Sequence, residues 1–203
     1  PTTVKEVQSL MGKVNYLRRF ISNAAGKMKP FTKLLKGAKG NDIEWGLEQE
    51  KALQVIKDSL TKPPVLVPPR PDKSLKLYLA ASEEAIGCLL VQDWDDGKER
   101  AIYYLSKTLA GPELNYSSAE KLCYSLYYAC TKLEHYVLPT ETEVICRYDL
   151  MKLILQRPNL QGRLMKWAIR LAPSHSCTSL SRLLKDKSLQ TSLQTILQGT
   201  QYA

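Results

Sequence analysis

The first residues of the chain place apolar side chains at helical spacing. Thr3 and Glu6 have the spacing of a capping box, and apolar residues then recur every three or four positions from Val7 to Ile21. A box of this kind satisfies free backbone donors at the start of a helix. The pattern therefore predicts a helix from about residue 4 to residue 22.

Two further helices are expected before residue 61. Turn-forming residues at 23–30 precede a short basic helix around Phe31–Lys36. After Trp45, five apolar residues share one predicted helix face: Leu47, Ala52, Leu53, Ile56 and Leu60. Five prolines lie within residues 63–71 and favour an extended chain. Residues 1–60 are thus predicted to form a small helical unit, followed by a Pro-rich linker at 61–72.

From residue 73 the pattern changes to the two-residue period of strands. Leu75, Leu77 and Leu79 alternate with other residues, and two more strand-like runs follow, with the turn Asp95-Asp96-Gly97 between them. A long helix is expected at 117–136, a fourth strand at Glu143–Arg147, and helices near 149–156 and 161–171. This order predicts an α/β fold at 73–172: a mixed sheet with flanking helices, preceded by the helical unit.

The basic charge of the chain lies mostly at its start. The formal net charge is +9, and residues 1–40 hold nine Lys and Arg residues against the single acid Glu6. Clustered cations neutralise phosphates and release counterions, so this region is a candidate nucleic-acid surface. A solvated helix face would have the same composition. The candidate contacts are Lys13, Arg18, Arg19, Lys33 and Lys36.

Other classes of protein fit the sequence poorly. Its five cysteines include no CxxC pair and are accompanied by two histidines, so we expect no zinc site and no disulfide framework. No apolar run reaches the roughly 18–20 residues of a membrane span, and the first residues do not resemble a signal peptide. We therefore expect an intracellular protein, cytoplasmic or nuclear, with no membrane partner.

Several motifs resemble one family. Residues 1–21, ending in Tyr16-Leu17-Arg18-Arg19-Phe20-Ile21, are similar to the start of the thumb in reverse transcriptases of gypsy-type LTR retrotransposons. The resemblance continues through Pro30–Leu35, the segment 77–92, Tyr103–Lys107 and Tyr116–Lys121, and Gly162-Arg163-Leu164 with Lys166-Trp167 resembles the plant branch. It covers about 1–172. It implies a thumb-like unit at 1–60 and a ribonuclease H-like domain at 73–172.

The resemblance also implies where catalytic acids would stand. Active relatives cut the RNA strand of an RNA/DNA hybrid with two divalent ions held by carboxylates. The first acid position is occupied by Ala80, the second by Glu120 and the third by Arg147. Asp149 lies two strand residues, or roughly 7 Å, beyond the third position. Glu120 is thus the one acid retained at these three positions. Its presence would be explained either by cation binding or by the favourable interaction of an acid at a helix start with the helix dipole.

The fourth acid belongs to an Ala-Asp motif that is absent from the end of this chain. Ser-Leu-Gln-Thr occurs at 188–191 and again at 192–195, and a set of codons exists that reads Phe-Ala-Asp in the neighbouring frame. We hypothesise a frameshift after Leu171, which would make 173–203 a divergent tail. In-frame relatives without an Ala-Asp repeat would contradict this hypothesis, and an unrelated Ser/Leu/Gln-rich tail is the alternative.

These observations predict a fragment of a retrotransposon polyprotein acting as a catalytically inactive, connection-like module that binds RNA/DNA hybrid or other nucleic acid. Other Pol domains or a second subunit are further expected partners. No cofactor is expected, and Mg²⁺ only if the nuclease site has been rebuilt. An active nuclease, rebuilt around Glu83, Glu84, Asp93 or Asp149, and a non-functional relic are the alternatives.

Overall fold

The computed structural model describes residues 1–38, 40–61, 65–146 and 162–171, together with the backbone of a two-residue strand at 182–183. Four helices come first, and a mixed sheet with flanking helices follows. The predicted α/β class is therefore confirmed. The predicted helix near 149–156 lies outside the described residues, as do Arg147, Asp149 and most of the tail. The predicted domain limits remain predictions.

The first helix, α1 (Val4–Leu17), begins with the predicted capping box. Thr3 Oγ1 accepts the backbone N–H of Glu6, and the Glu6 carboxylate accepts the backbone N–H of Thr3. The helix ends earlier than predicted and tightens into a 3₁₀ turn at Arg18–Phe20. Asn23, with φ +48°, then starts a new short helix. Ile21 has extended backbone angles, φ −114° and ψ 108°, so the predicted extension to residue 22 is wrong.

Three more helices complete the helical unit: α2 (Ala24–Lys27), α3 (Lys29–Gly37) and α4 (Leu47–Thr61). Pro30 lies in the first turn of α3, where its missing N–H costs no hydrogen bond. Their core consists of buried residues from all four helices and from the residues between them: Val7, Val14, Ile21, Ala24, Met28, Phe31 and Ile56. The Phe31 ring stacks on Trp45 at a centroid distance of 5.6 Å.

One predicted core position is wrong in this unit. Leu47 is 81% exposed, whereas Ile56 is buried. The two residues are nine positions apart, and at 3.6 residues per turn this places them about half a turn apart. Leu47 therefore lies on the opposite side of α4 from the core stripe.

Among the residues that the structure describes, five strands form the sheet, in the order β3-β2-β1-β4-β5. The strands are β1 (Leu75–Ala81), β2 (Ala85–Asp93), β3 (Glu99–Thr108), β4 (Thr142–Cys146) and β5 (Arg182–Leu183). The first three are antiparallel neighbours, as predicted, while β4 runs parallel to β1. Side chains alternate between the two faces of the sheet, so Leu77 and Leu79 belong to one apolar cluster and Tyr78 and Ala80 to another.

Helices cover the face that carries Leu77 and Leu79. The long helix α5 (Ser118–Lys132) packs on β1 and β2, and a short helix α6 (Glu134–Val137) follows. The predicted single helix at 117–136 is thus divided at Leu133, whose backbone is not helical. The helix α7 (Arg163–Leu171) packs on α5 through Trp167. It lies within the predicted helix at 161–171.

Candidate functional site

The position of the first expected acid is apolar. Ala80 lies near the end of β1, is 5% exposed, and pairs with Gly87 of β2. Ala80 belongs to a buried apolar cluster, which we call the Ala80 cluster. The other members of this cluster are Tyr78, Leu89, Val91, Tyr104 and Ile145. A methyl group cannot coordinate a cation, and an apolar surrounding opposes the charge of one. This position therefore provides packing and no metal ligand.

Glu120 is engaged in local contacts at the start of α5. Its carboxylate accepts the backbone N–H of Ser117 at 2.8 Å, and Ser117 Oγ accepts the N–H of Glu120 at 3.3 Å. Arg163 Nε of α7 donates to the same carboxylate at 3.2 Å. The Ser117 backbone hydrogen bond, and then the charge of Arg163, hold the pKa of Glu120 below its usual range. The geometry is that of a helix cap joined to a neighbouring helix.

Of the other acids considered for a rebuilt site, two have carboxylates engaged in ion pairs, and Asp149 lies outside the described residues. Glu84 forms an ion pair with Lys29, and Asp93 pairs with Lys76 at 2.9 Å. The backbone carbonyl of Glu83 accepts a hydrogen bond from the buried Lys121 at 2.8 Å. Within the part of the chain that the structure describes, no group of three or more His, Cys, Asp and Glu residues is arranged to hold a metal ion.

The five predicted nucleic-acid contacts fall into two groups. Lys13 and Lys36 are exposed on α1 and α3. Lys33 is also exposed and lies 3.9 Å from Glu48, a long and solvated ion pair that contributes little stability. Arg18 and Arg19 are half-buried. The structure therefore leaves the three lysines available to a large ligand and places the two arginines between the helical unit and the sheet.

Each of the two arginines contacts a tyrosine of the following elements. Arg18 Nη2 donates to the hydroxyl of Tyr128 on α5 at 3.2 Å. The Arg19 guanidinium lies over the rings of Phe20 and Tyr103, 5.2 and 5.3 Å from their centroids. Its Nε is buried and has no hydrogen-bond partner among the described residues. These contacts help to attach the helical unit to the sheet.

Sequence reasoning missed one exposed aromatic residue on α1. Tyr16 is 86% exposed and follows Lys13 by three positions, so the two share a helix face. At the neighbouring Gly12, an added Cβ would meet nothing within 4 Å, so this face is open. In the sequence, Tyr16 lies outside the apolar stripe of α1, and this position is what indicates an exposed side chain. We use the name basic surface for four exposed residues: Lys13, Lys33, Lys36 and Tyr16.

Comparison with known proteins identifies the fold of the middle part of the chain. The family model for the RNase H-like domain found in reverse transcriptase matches residues 45–144. This part of the chain has the RNase H-like fold found in reverse transcriptase. Strands β1, β2 and β3 and the start of β4 lie within the matched residues.

Relatives of the RNase H-like domain and its preceding helices are retrotransposon polyproteins. The chain is 30% identical over 172 residues to the retrovirus-related Pol polyprotein from transposon 297 of Drosophila melanogaster, covering 85% of this chain and 16% of that protein. It is 32% identical over 164 residues to the transposon Tf2-3 polyprotein of Schizosaccharomyces pombe, covering 81% and 12%. The prediction of a retrotransposon Pol segment with an RNase H-like domain is confirmed. The chain spans less than a fifth of these relatives.

Solved structures with the same fold include foamy viral protease-reverse transcriptase. One, described as a complex with double-stranded DNA, has a TM-score of 0.73 at 26% identity and covers 92% of this chain and 33% of that chain. Another, described as a complex with RNA/DNA hybrid, has a TM-score of 0.72 at 26% identity, with 89% and 24% covered. The helical unit and the RNase H-like domain are thus both found in one reverse transcriptase structure.

A second cationic cluster, at the β2–β3 hairpin of the RNase H-like domain, is compensated by acids. Arg70 and Lys73 pair with Asp95, and Arg100 pairs with Asp96. Hydrogen bonds from Lys73, and then from Arg70, lower the pKa of Asp95 to about 2. The guanidinium groups of Arg70 and Arg100 lie 4.0 and 4.7 Å from the Trp94 ring centroid. This hairpin is therefore a poorer candidate for phosphate contacts than the basic surface.

Proposed function

We propose that the chain is a catalytically inactive, connection-like module of a retrotransposon Pol polyprotein and that it binds RNA/DNA hybrid. The observation that carries the proposal is the buried methyl group of Ala80, which stands in an apolar cluster where the family resemblance implies a metal-binding carboxylate. The engagement of Glu120 with Ser117 and Arg163 supports it. The described residues therefore do not fit a pair of divalent cations.

The binding part of the proposal rests on the basic surface. Its lysines are exposed, and each phosphate that a lysine neutralises releases counterions and adds affinity that does not depend on sequence. Tyr16 adds an exposed ring that can pack against a sugar or base. The DNA and hybrid complexes reported for the foamy viral enzymes favour the same class of ligand.

We also propose the type of element, the partners and the location of the chain. The Tyr-Leu-Arg-Arg-Phe-Ile ending at 16–21 supports a gypsy-type element, and Gly162-Arg163-Leu164 supports its plant branch. The relatives are far longer than this chain, which supports partners among other Pol domains or a second subunit. An intracellular location, cytoplasmic or nuclear, follows from that role. Among the described residues, none of the helices has the length and apolar character needed to cross a membrane.

A single assay tests inactivity and binding together. The purified chain is incubated with a labelled RNA/DNA hybrid in Mg²⁺ and then in Mn²⁺, and both RNA cleavage and retention of the hybrid are measured. We expect retention without cleavage. Glu120→Gln is the matched control, because Gln preserves the capping box while removing the charge. Metal-dependent cleavage that is lost in this variant would contradict the proposal.

The salt dependence of retention identifies the surface. Replacing Lys13, Lys33 and Lys36 with Gln removes three candidate phosphate contacts, so on a DNA duplex we expect the slope of log K against log salt to become shallower by about 2.7, at about 0.9 per contact. A variant that replaces Lys51, Lys57 and Lys98 removes the same charge elsewhere. Equal slopes for the two variants would show that total charge, and not the basic surface, determines binding.

A further inference from the structure

A cleft lies between the helical unit and strand β3. Its volume is about 170 Å³, and the polar side chains in its walls are Asn15, Arg18 and Thr32 from the helical unit and Ser106, Lys107 and Thr108 from β3. This space exceeds that of one water molecule but is below the roughly 300–1,000 Å³ of pockets that hold drug-sized ligands. The cleft therefore suits a small polar group.

The cleft carries more positive than negative charge. Among the described residues, the Arg18 guanidinium donates to the neutral hydroxyl of Tyr128 at 3.2 Å. A guanidinium has five N–H donors, so most of them remain for a ligand. Lys107 is paired with Glu113 and with the Tyr124 hydroxyl. The charge of Lys107 is thus offset by a carboxylate, whereas no carboxylate of the described residues pairs with Arg18.

Arg18 and Lys107 both lie near the side chain of Tyr128. Lys107 Nζ lies 5.6 Å from the centroid of this ring, and Arg18 binds its hydroxyl. Burial opposes the charge of Lys107, but the hydrogen bonds that Lys107 donates to Glu113 and Tyr124 raise its pKa. Both side chains are half-buried, and partial removal of water strengthens their attraction for an anion.

A hydroxyl group in the wall can complete the coordination of an anion. Ser106 Oγ accepts the backbone N–H of Ala25 at 3.0 Å, which leaves its own hydrogen free to donate. Thr108 is already committed, since its hydroxyl donates to the carbonyl of Ala25 at 3.5 Å. An oxygen-rich anion between Arg18 and Ser106 would therefore receive donors from both units of the protein.

We infer that this cleft binds one phosphate group, and that in the proposed function the group belongs to the nucleic-acid backbone. This inference rests on the proposed function. The planar fork of Arg18 fits two phosphate oxygens at once, and Ser106 can donate one hydrogen bond. The bound phosphate would bridge the helical unit and the RNase H-like domain, so nucleic acid and the junction between the two units would stabilise each other.

Three variants separate this site from a structural role of Arg18. Arg18→Gln removes the cation, and on a DNA duplex we expect the salt slope to become shallower by about 0.9, or about a 3.5-fold change in affinity across a four-fold range of salt. Tyr128→Phe removes the hydroxyl that Arg18 now binds but keeps the cation, so the wild-type slope should persist. Lys98→Gln removes one charge from the compensated hairpin and should also keep the slope. Circular dichroism and thermal melting establish that each variant is folded. If Arg18→Gln does not fold, Arg18→Lys replaces it. Arg18→Lys keeps the charge, so it should keep the salt slope but lose affinity for the duplex.

The outcomes distinguish the cleft from the proposed function. If wild type binds duplex and Arg18→Gln keeps the slope, the cleft proposal fails and nucleic-acid binding stands. If Tyr128→Phe reproduces the loss seen in Arg18→Gln, the arginine acts through its contact with α5 and the proposal also fails. Calorimetry with inorganic pyrophosphate tests free phosphate: Arg18-dependent binding without duplex binding would keep the cleft and reject the proposed function. Binding of neither ligand would reject both.

Discussion

Placing a carboxylate at Ala80 tests the interpretation of that position directly. In Ala80→Asp the new carboxylate would enter the Ala80 cluster, whose members are between 0% and 5% exposed. Removal from water raises the pKa of a buried carboxyl group, by up to about 3–5 units when burial is complete. A rise of two to three units from about 3.9 corresponds to about 3–4 kcal/mol at pH 7.

The sign of the pH dependence follows from the raised pKa. The folded protein would then hold its proton more tightly than the unfolded chain does. Below about pH 4 the new carboxyl is neutral in both states and adds no electrostatic penalty. Above that pH the penalty grows by about 1.4 kcal/mol per pH unit until the folded-state pKa is passed. The variant should therefore be least stable near neutral pH.

The assay is urea unfolding of wild type, Ala80→Asp and Ala80→Asn between pH 4 and pH 7.5. Asn has the size and polarity of the acid without its titration, so the difference between the two variants isolates the charge. We expect this difference to widen as pH rises. Equal stabilities at pH 7, or stabilisation of Ala80→Asp by added Mg²⁺, would refute the reasoning, because either result would mean that the position still accommodates an anion or a metal.

Three further predictions concern stability. Phe31→Ala should lower the free energy of unfolding by about 3–5 kcal/mol in urea titrations, because it removes a fully buried ring that stacks on Trp45. Lys33→Ala on the same helix should change the free energy of unfolding by less than about 0.5 kcal/mol. Similar effects of the two substitutions would contradict the observed core. Ser117→Ala should cost about 1 kcal/mol by removing the N-cap of α5, measured by thermal unfolding against exposed Ser118→Ala. The low pKa of Glu120 means that its stabilisation is present above the unfolded-state pKa and declines as pH falls, and this decline should be smaller in Glu120→Gln.

The elements that the sequence predicted well are those determined by local pattern. The alternation of Leu75, Leu77 and Leu79 indicated β1, and the predicted capping box at Thr3 lies at the start of α1. The early end of α1 was not predictable in this way. It coincides with contacts of Arg18 and Arg19 to tyrosines more than eighty residues away in sequence, which periodicity does not detect.

The candidate site shows the same division. Motif positions identified Ala80 and Glu120, but the partner of Glu120 is Arg163, which is 43 residues away in sequence and becomes a neighbour only when α7 packs on α5. Likewise, Arg18 has the composition of a surface cation, and its half-buried position depends on how the helical unit meets β3. Sequence pattern identifies residue types, whereas tertiary packing determines which of them meet.

The parallel pair of β1 and β4 has a consequence for the order of folding. β1 can form hairpin hydrogen bonds with β2 as soon as both strands exist, but its other edge pairs with β4, which follows two more strands and α5 in the chain. Closing that long loop costs entropy and makes the pairing slow compared with the hairpins. During synthesis, β1 would therefore present an apolar strand with an unpaired edge until Thr142–Cys146 arrives. The interval before β4 docks is thus the period in which the growing chain is most exposed to wrong strand pairing.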